Sequence, residues 1–202
     1  MTSKLNRPMR RRLSRLGRLS RLGLARLGLA RFAKDQTGST TVEAVLILPL
    51  LLWAYVAMFV YFDAFKIQNT NLRAAYTIAD MISRQTNAID AGYVNGLNTV
   101  FDYLVNIDTN TSVRASSVFW DPLANVYRVQ WSYGTNAMPL LTNANVNDYA
   151  SRLPTIPAGD TLIVMETWLD YTPAFDVGGL QARTFKEFIA TRPRFVAQVP
   201  FV

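Results

Sequence analysis

Nineteen consecutive residues, Ala44 to Phe62, carry no charged side chain. As a helix rising ~1.5 Å per residue they cover about 28 Å, close to the ~30 Å hydrocarbon core of a bilayer. The run reads as a single membrane-spanning helix, and the segments on either side are read from it. One carboxylate, Glu43, stands at its front edge, five residues after Gly38. Pro49 lies inside the run, where it removes one backbone hydrogen bond and can kink the helix. Membrane helices accept such a residue when neighbouring groups satisfy the freed carbonyl. Two readings of Pro49 stay open: a kink without function, or a weak point that lets the helix bend as it leaves the bilayer.

The net charge of +7 belongs to one end of the chain. Residues 1–38 hold eleven of the 21 basic residues and one of the 14 acidic ones, a net +10. The remaining 164 residues (202 less 38) carry −3. The basic arm repeats Arg-Leu-Gly and Arg-Leu units between Arg15 and Arg31. Its leucines recur every three residues and slip ~60° per step around a helix, so they form no compact apolar face. Gly17, Gly23 and Gly28 weaken the helix further. The arm is expected to be a cytoplasmic leader, held inside by its charge and attracted to anionic lipid. Nucleic-acid binding by the arm is the sharper alternative, but lipid proximity already accounts for the charge, so no nucleic-acid partner is expected.

The chain has no cysteine, and histidine is also absent. No disulfide, Ser-His-Asp triad, Cys nucleophile or Cys/His zinc site can form. Neither a phosphate-binding Gly-x-x-x-x-Gly-Lys loop nor a Gly-x-Gly-x-x-Gly turn occurs. The acids are scattered singly. No enzyme, cofactor, metal or small-molecule substrate is expected.

Beyond Phe62 the helix is expected to run to about Arg84, with Leu72, Ala75, Ala79 and Ile82 on one stripe. Asp90 is placed to cap a second helix, whose face is Tyr93, Leu97, Val100 or Phe101, and Leu104, ending near Asn106. After Asn110 the period becomes that of strands. Val113 to Trp120 forms a strand, and Asp121 to Asn125 a turn. In the next strand Tyr127, Val129, Trp131 and Tyr133 alternate with polar residues, which predicts one half-buried face and an antiparallel hairpin. Residues 134–160 read as loop with a candidate short helix from Asn147 to Leu153. Thr161 to Tyr171 is a third strand with Ile163, Met165, Leu169 and Tyr171 on one face. A last strand, from about Thr184 or Phe188 to Val199, is interrupted at Pro193, which suits an edge. Arg192 and Arg194 on that edge read either as a docking point for another subunit or as solvated charges that prevent misassembly. The expected organisation is a leader (1–38), a transmembrane and extended helix (39–85) and an α+β head with an antiparallel sheet (86–202).

Gly38 to Glu43 is the one constellation with chemical content, and the chemistry would be done to this chain. Gly38 removes the side chain at a scissile bond, and Ser39, Thr40 and Thr41 are small. The plainer reading is that Gly38 ends the arm and Glu43 caps the helix through its dipole. A Gly, four small or apolar residues, a Glu and a long apolar helix form a pattern that resembles the processing site of type IV pilin-like precursors. The approach Arg31-Phe-Ala-Lys-Asp-Gln-Thr-Gly38, then Thr-Val-Glu43 and Leu48-Pro49-Leu50-Leu51-Leu52, resembles more narrowly the TadE/TadF minor pseudopilins of Tad (Flp) pilus systems. The specific likeness covers residues 31–62, and a weaker one reaches Arg192-Pro193-Arg194-Phe195.

The resemblance implies a pilin-like head, a prepilin peptidase that cuts after Gly38, and Ser39 as the new N-terminus. It also implies that Glu43 meets the free N-terminal amine of a neighbouring subunit during assembly. Partners would be that peptidase, other Tad pseudopilins and pilus assembly proteins, and a bacterial inner membrane crossed once with the N-terminus inside and the head in the periplasm. The alternative is an uncleaved, signal-anchored protein whose periplasmic head binds a ligand or a partner.

Overall fold

The computed structural model describes residues 39–176 and 178–202. The leader and Gly38 lie outside the described residues. The fold is α+β: a long apolar helix, α1 (Ser39–Ser83), a second helix, α2 (Ala91–Val105), and a four-stranded antiparallel sheet. The chain divides into two units between Ala54 and Tyr55. In the first, residues 39–54 are helical through Pro49, and every side chain from Thr40 to Ala54 is exposed.

The second unit contains the rest of α1, α2 and the sheet. Strands β1 (Thr111–Asp121), β2 (Val126–Gly134), β3 (Thr161–Tyr171) and β4 (Arg183–Thr191) lie in the order β2-β1-β3-β4. Each neighbouring pair is antiparallel, so two hairpins and one long connection build the sheet. Alternation of side chains gives it two covered faces. On one, Val113, Ala115, Ile163, Met165 and Ile189 pack with Ala75, Ile78 and Ile82 of α1 and with Val94, Leu97 and Phe101 of α2. On the other, Val118, Leu162 and Val164 lie beneath Leu141, Val146, Leu153 and Ile156. That second cover is the 135–160 connection, whose 3-10 helix spans Val146–Arg152. Both faces of β1 and β3 are therefore buried, although a single buried face is the usual state of an antiparallel strand.

The helices form where their apolar spacing and end groups direct. Asp90 is extended (φ −127°, ψ 179°), and its carboxylate accepts the Tyr93 N–H at 2.7 Å, capping α2. Asn106 closes α2 in the left-handed region (φ 50°), where asparagine is tolerated. The α2 face turned inward is Val94, Leu97, Phe101 and Val105, rotated from the expected one. Tyr93 and Val100 are its half-buried margins, and Leu104 is exposed. On α1 the stripe is wider than expected: Asn71, Ala74 and Ile78 join Ala75, Ala79 and Ile82, and Leu72 is marginal.

Two expectations about strands are corrected. In β2, Ser117 pairs with Trp131 but Val118 pairs with Val129, so Gln130 is an extra residue. The bulge reverses the alternation. Trp131 and Tyr133 pack on the helix side, while Tyr127 and Val129 pack beneath the 135–160 connection. The last strand stops at Thr191 rather than Val199. Pro193 ends the ladder because it has no N–H, and the chain then turns to the helices. Arg194 N–H donates to the Ser83 carbonyl (2.8 Å), Ile89 N–H to Pro200 (2.9 Å) and Val202 N–H to Ile89 (2.9 Å). The Trp131 indole donates to the Val199 carbonyl at 2.8 Å and stacks on Phe201.

Candidate functional site

The first residues of α1 hold two of the three positions singled out by the sequence. Ser39 is the first residue described, and it is helical. Glu43 is the fifth residue of α1 and is exposed. Among the described residues Glu43 has no ion-pair partner. The following turns place Val45, Leu46, Leu48, Leu50, Leu51 and Trp53 in the open, each more than half exposed. α1 is long and apolar enough to cross a membrane.

Further along, in the second unit, the helix changes character on one side. Met58, Phe59, Phe62 and Phe65 remain exposed, while Val60 and Ala64 are buried against Tyr171 and Leu180. The end of β3 and the β3–β4 loop make this contact. Gly178 has φ +74°, and a Cβ there would lie 3.1 Å from the Tyr61 ring and 3.3 Å from the Ala57 methyl. Glycine is thus favoured twice: its φ strains any other side chain, and a Cβ would crowd the helix. The Tyr61 hydroxyl donates to the Gly178 carbonyl at 2.8 Å.

The first charge after the apolar run, Asp63, is half-buried and accepts from the Tyr171 hydroxyl at 3.3 Å. Burial, and then the Asp63 charge, hold the Tyr171 pKa above its ordinary value. Asp80, near the end of α1, lies between two guanidiniums: Arg84 at 2.7 Å and Arg194 at 2.5 Å. Arg192 lies 3.5 Å from Asp160, and its guanidinium also donates to the Thr155 carbonyl. Neither Arg192 nor Arg194 is on a strand, and both make contacts within their own chain. Cation and carboxylate meet near the helix C-terminus, where a positive charge also complements the dipole.

Sequence reasoning missed a buried ionic group beneath the 135–160 connection. The guanidinium of Arg114 meets Glu166 with Nη2 at 2.5 Å and Nε at 2.6 Å from one carboxylate oxygen. It also donates to the Pro139 carbonyl and lies 5.2 Å from the centroid of the Trp168 ring. Each of the two residues is about 5% exposed. Arg114 and Glu166 are directly paired across β1 and β3, a register that pattern reading did not supply. Compared with protein-family models, with curated proteins and with solved structures, the chain matches none.

Proposed function

We propose that this chain is a membrane-anchored minor pseudopilin of the TadE/TadF type, which serves in the assembly of a Tad (Flp) pilus. α1 is its anchor, and the α+β unit is a pilin-like head that presents a surface to partner subunits. The observation that carries the reading is the division of labour along α1. Its first part exposes aliphatic side chains all round, with Glu43 the one charge between Thr40 and Phe62. Its last turns bury Ala75, Ile78, Ala79 and Ile82 in the core of the head. A helix that is apolar all round in its first part and one-sided in its last suits lipid or neighbouring helices first and a folded domain afterwards.

In this reading the basic leader stays in the cytoplasm and the head lies in the periplasm, as the positive-inside rule directs. A prepilin peptidase cuts between Gly38 and Ser39, and the new N-terminal amine faces the Glu43 carboxylate of a neighbour. A carboxylate at the membrane edge is costly to bury unpaired, and an opposite charge offsets that cost. The role is structural, with partners among other pseudopilins and pilus assembly proteins. Protein extracted from membranes of cells that have the matching peptidase is expected to begin at Ser39 and to contain 164 residues (202 less 38). Intact mass and N-terminal sequencing check this. A mature protein that retains Arg31 overturns the processing step and favours an uncleaved signal anchor.

A further inference from the structure

We propose that the β3–β4 loop seats the head on the bilayer, with Phe175 inserted among the lipid headgroups beside α1. The inference rests on reading α1 as the membrane anchor. Gly178 lies against Ala57 and Tyr61, and Leu180 is buried with Val60. Those helix residues belong to the uncharged run, before its first charge at Asp63. Ala57 stands six residues ahead of Asp63, about 9 Å along a helix axis. Part of the head therefore lies alongside the anchor below the level at which the anchor becomes polar.

In sequence, Phe175 falls between two residues whose levels along the helix are fixed. Ala174 lines a cleft with Asp63 and Ile67, at the exit from the run. Gly178 is at the level of Ala57 and Tyr61. Between them the Phe175 ring is 54% exposed, and Phe62 and Phe65 on the helix are 72% and 62% exposed. An exposed phenyl ring at such a level can be buried at the boundary between headgroups and acyl chains, whereas a head held clear of the membrane gives it no cover. Asp176 sets the depth. Its exposed carboxylate beside Phe175 is costly in hydrocarbon, so the loop stops at the headgroups. Contact on two sides, through the anchor and through this loop, would limit how the head tilts on the membrane.

The chain has no cysteine, so a single introduced one carries a unique label. Full-length F175C, L123C and L48C are each labelled with an environment-sensitive fluorophore and reconstituted in phosphatidylcholine vesicles. The vesicles carry nitroxides either near the headgroup or deep in the acyl chain. Leu123, 98% exposed at the β1–β2 turn, is the head control, and Leu48 is the anchor control. The expected result is several-fold stronger quenching of F175C than of L123C, greatest with the shallow nitroxide, together with deep quenching of L48C. A174C reports the same depth if labelling at Phe175 disturbs the fold. F175C and A174C quenched no more than L123C, with L48C still quenched, overturns the seating and leaves the anchor standing. L48C unquenched as well overturns the anchor reading, and the seating falls with it.

Discussion

Arg114 and Glu166 are two charges in the middle of a small protein, and removing one is different from removing both. With Glu166→Gln the guanidinium stays buried, keeps the Pro139 carbonyl, and loses its counter-charge. Breaking a buried pair in this way costs roughly 3–5 kcal/mol. Glu166→Gln in detergent-solubilised protein is expected to lose stability on that scale, read as an earlier thermal transition in near-ultraviolet circular dichroism. The double replacement Arg114→Met with Glu166→Leu is expected to recover most of the loss, because no uncompensated charge remains. An unchanged transition in Glu166→Gln would show that water already reaches the pair. Nothing in the sequence marks these two residues as partners: they are 52 positions apart, and each looks like the polar side of a half-exposed strand. Their burial follows from the 135–160 connection, a polar stretch that folds back over what would otherwise be the solvent face. By contrast, Asp90 was legible, because an acid one residue before an apolar helical face has a specific job to do at a helix N-terminus.

At the scale of elements, α2 shows what local chemistry contributes. Its cap is one carboxylate–amide hydrogen bond at the exposed start of a helix whose other side is core. Asp90→Ala is expected to cost about 1 kcal/mol, with little change in the folded spectrum, since the Val94–Leu97–Phe101–Val105 face is untouched. Urea titration checks the figure, and a loss several times larger would mean that Asp90 also orders the turn after α1. The helices and the first three strands were readable because helical period, alternation and turn residues agree along each of them. The β2 bulge was not. Tyr127, Val129, Trp131 and Tyr133 keep their alternation in the sequence, and only the pairing with β1 shows that Gln130 is passed over. The consequence is that a strand expected to cover one face serves both, Trp131 to the helices and Val129 to the connection. The end of β4 was misplaced for a related reason. Residues 194–199 look strand-like, but Pro193 and the Arg194–Asp80 ion pair draw that segment off the sheet toward α1. The sequence identified Arg194 as notable without showing that its partner lies in the same chain.

For the whole molecule, the decisive residue is Glu43, because its role separates assembly from anchoring. It stands exposed in α1, at the edge of a surface otherwise without charge. If its work were only to complement the helix dipole, neutralising it would cost on the order of 1 kcal/mol or less. Glu43→Gln would then leave function nearly intact. If it meets a neighbour's N-terminal amine within an apolar assembly, its loss strands that amine without a counter-charge. Breaking such a pair costs roughly 3–5 kcal/mol, more than a hundredfold in association. The proposed function therefore predicts that Glu43→Gln is still inserted and still cut after Gly38, but recovers at most a few per cent of its partner subunits. Glu43→Asp is expected to rescue poorly, since it withdraws the carboxylate by one methylene. The measurement is co-purification with partner pseudopilins from solubilised membranes, with N-terminal sequencing of the same samples to establish that the amine of Ser39 is present. Normal partner recovery by a correctly processed Glu43→Gln would remove this carboxylate from assembly and leave the apolar surface of α1 as the only adhesive part of the anchor.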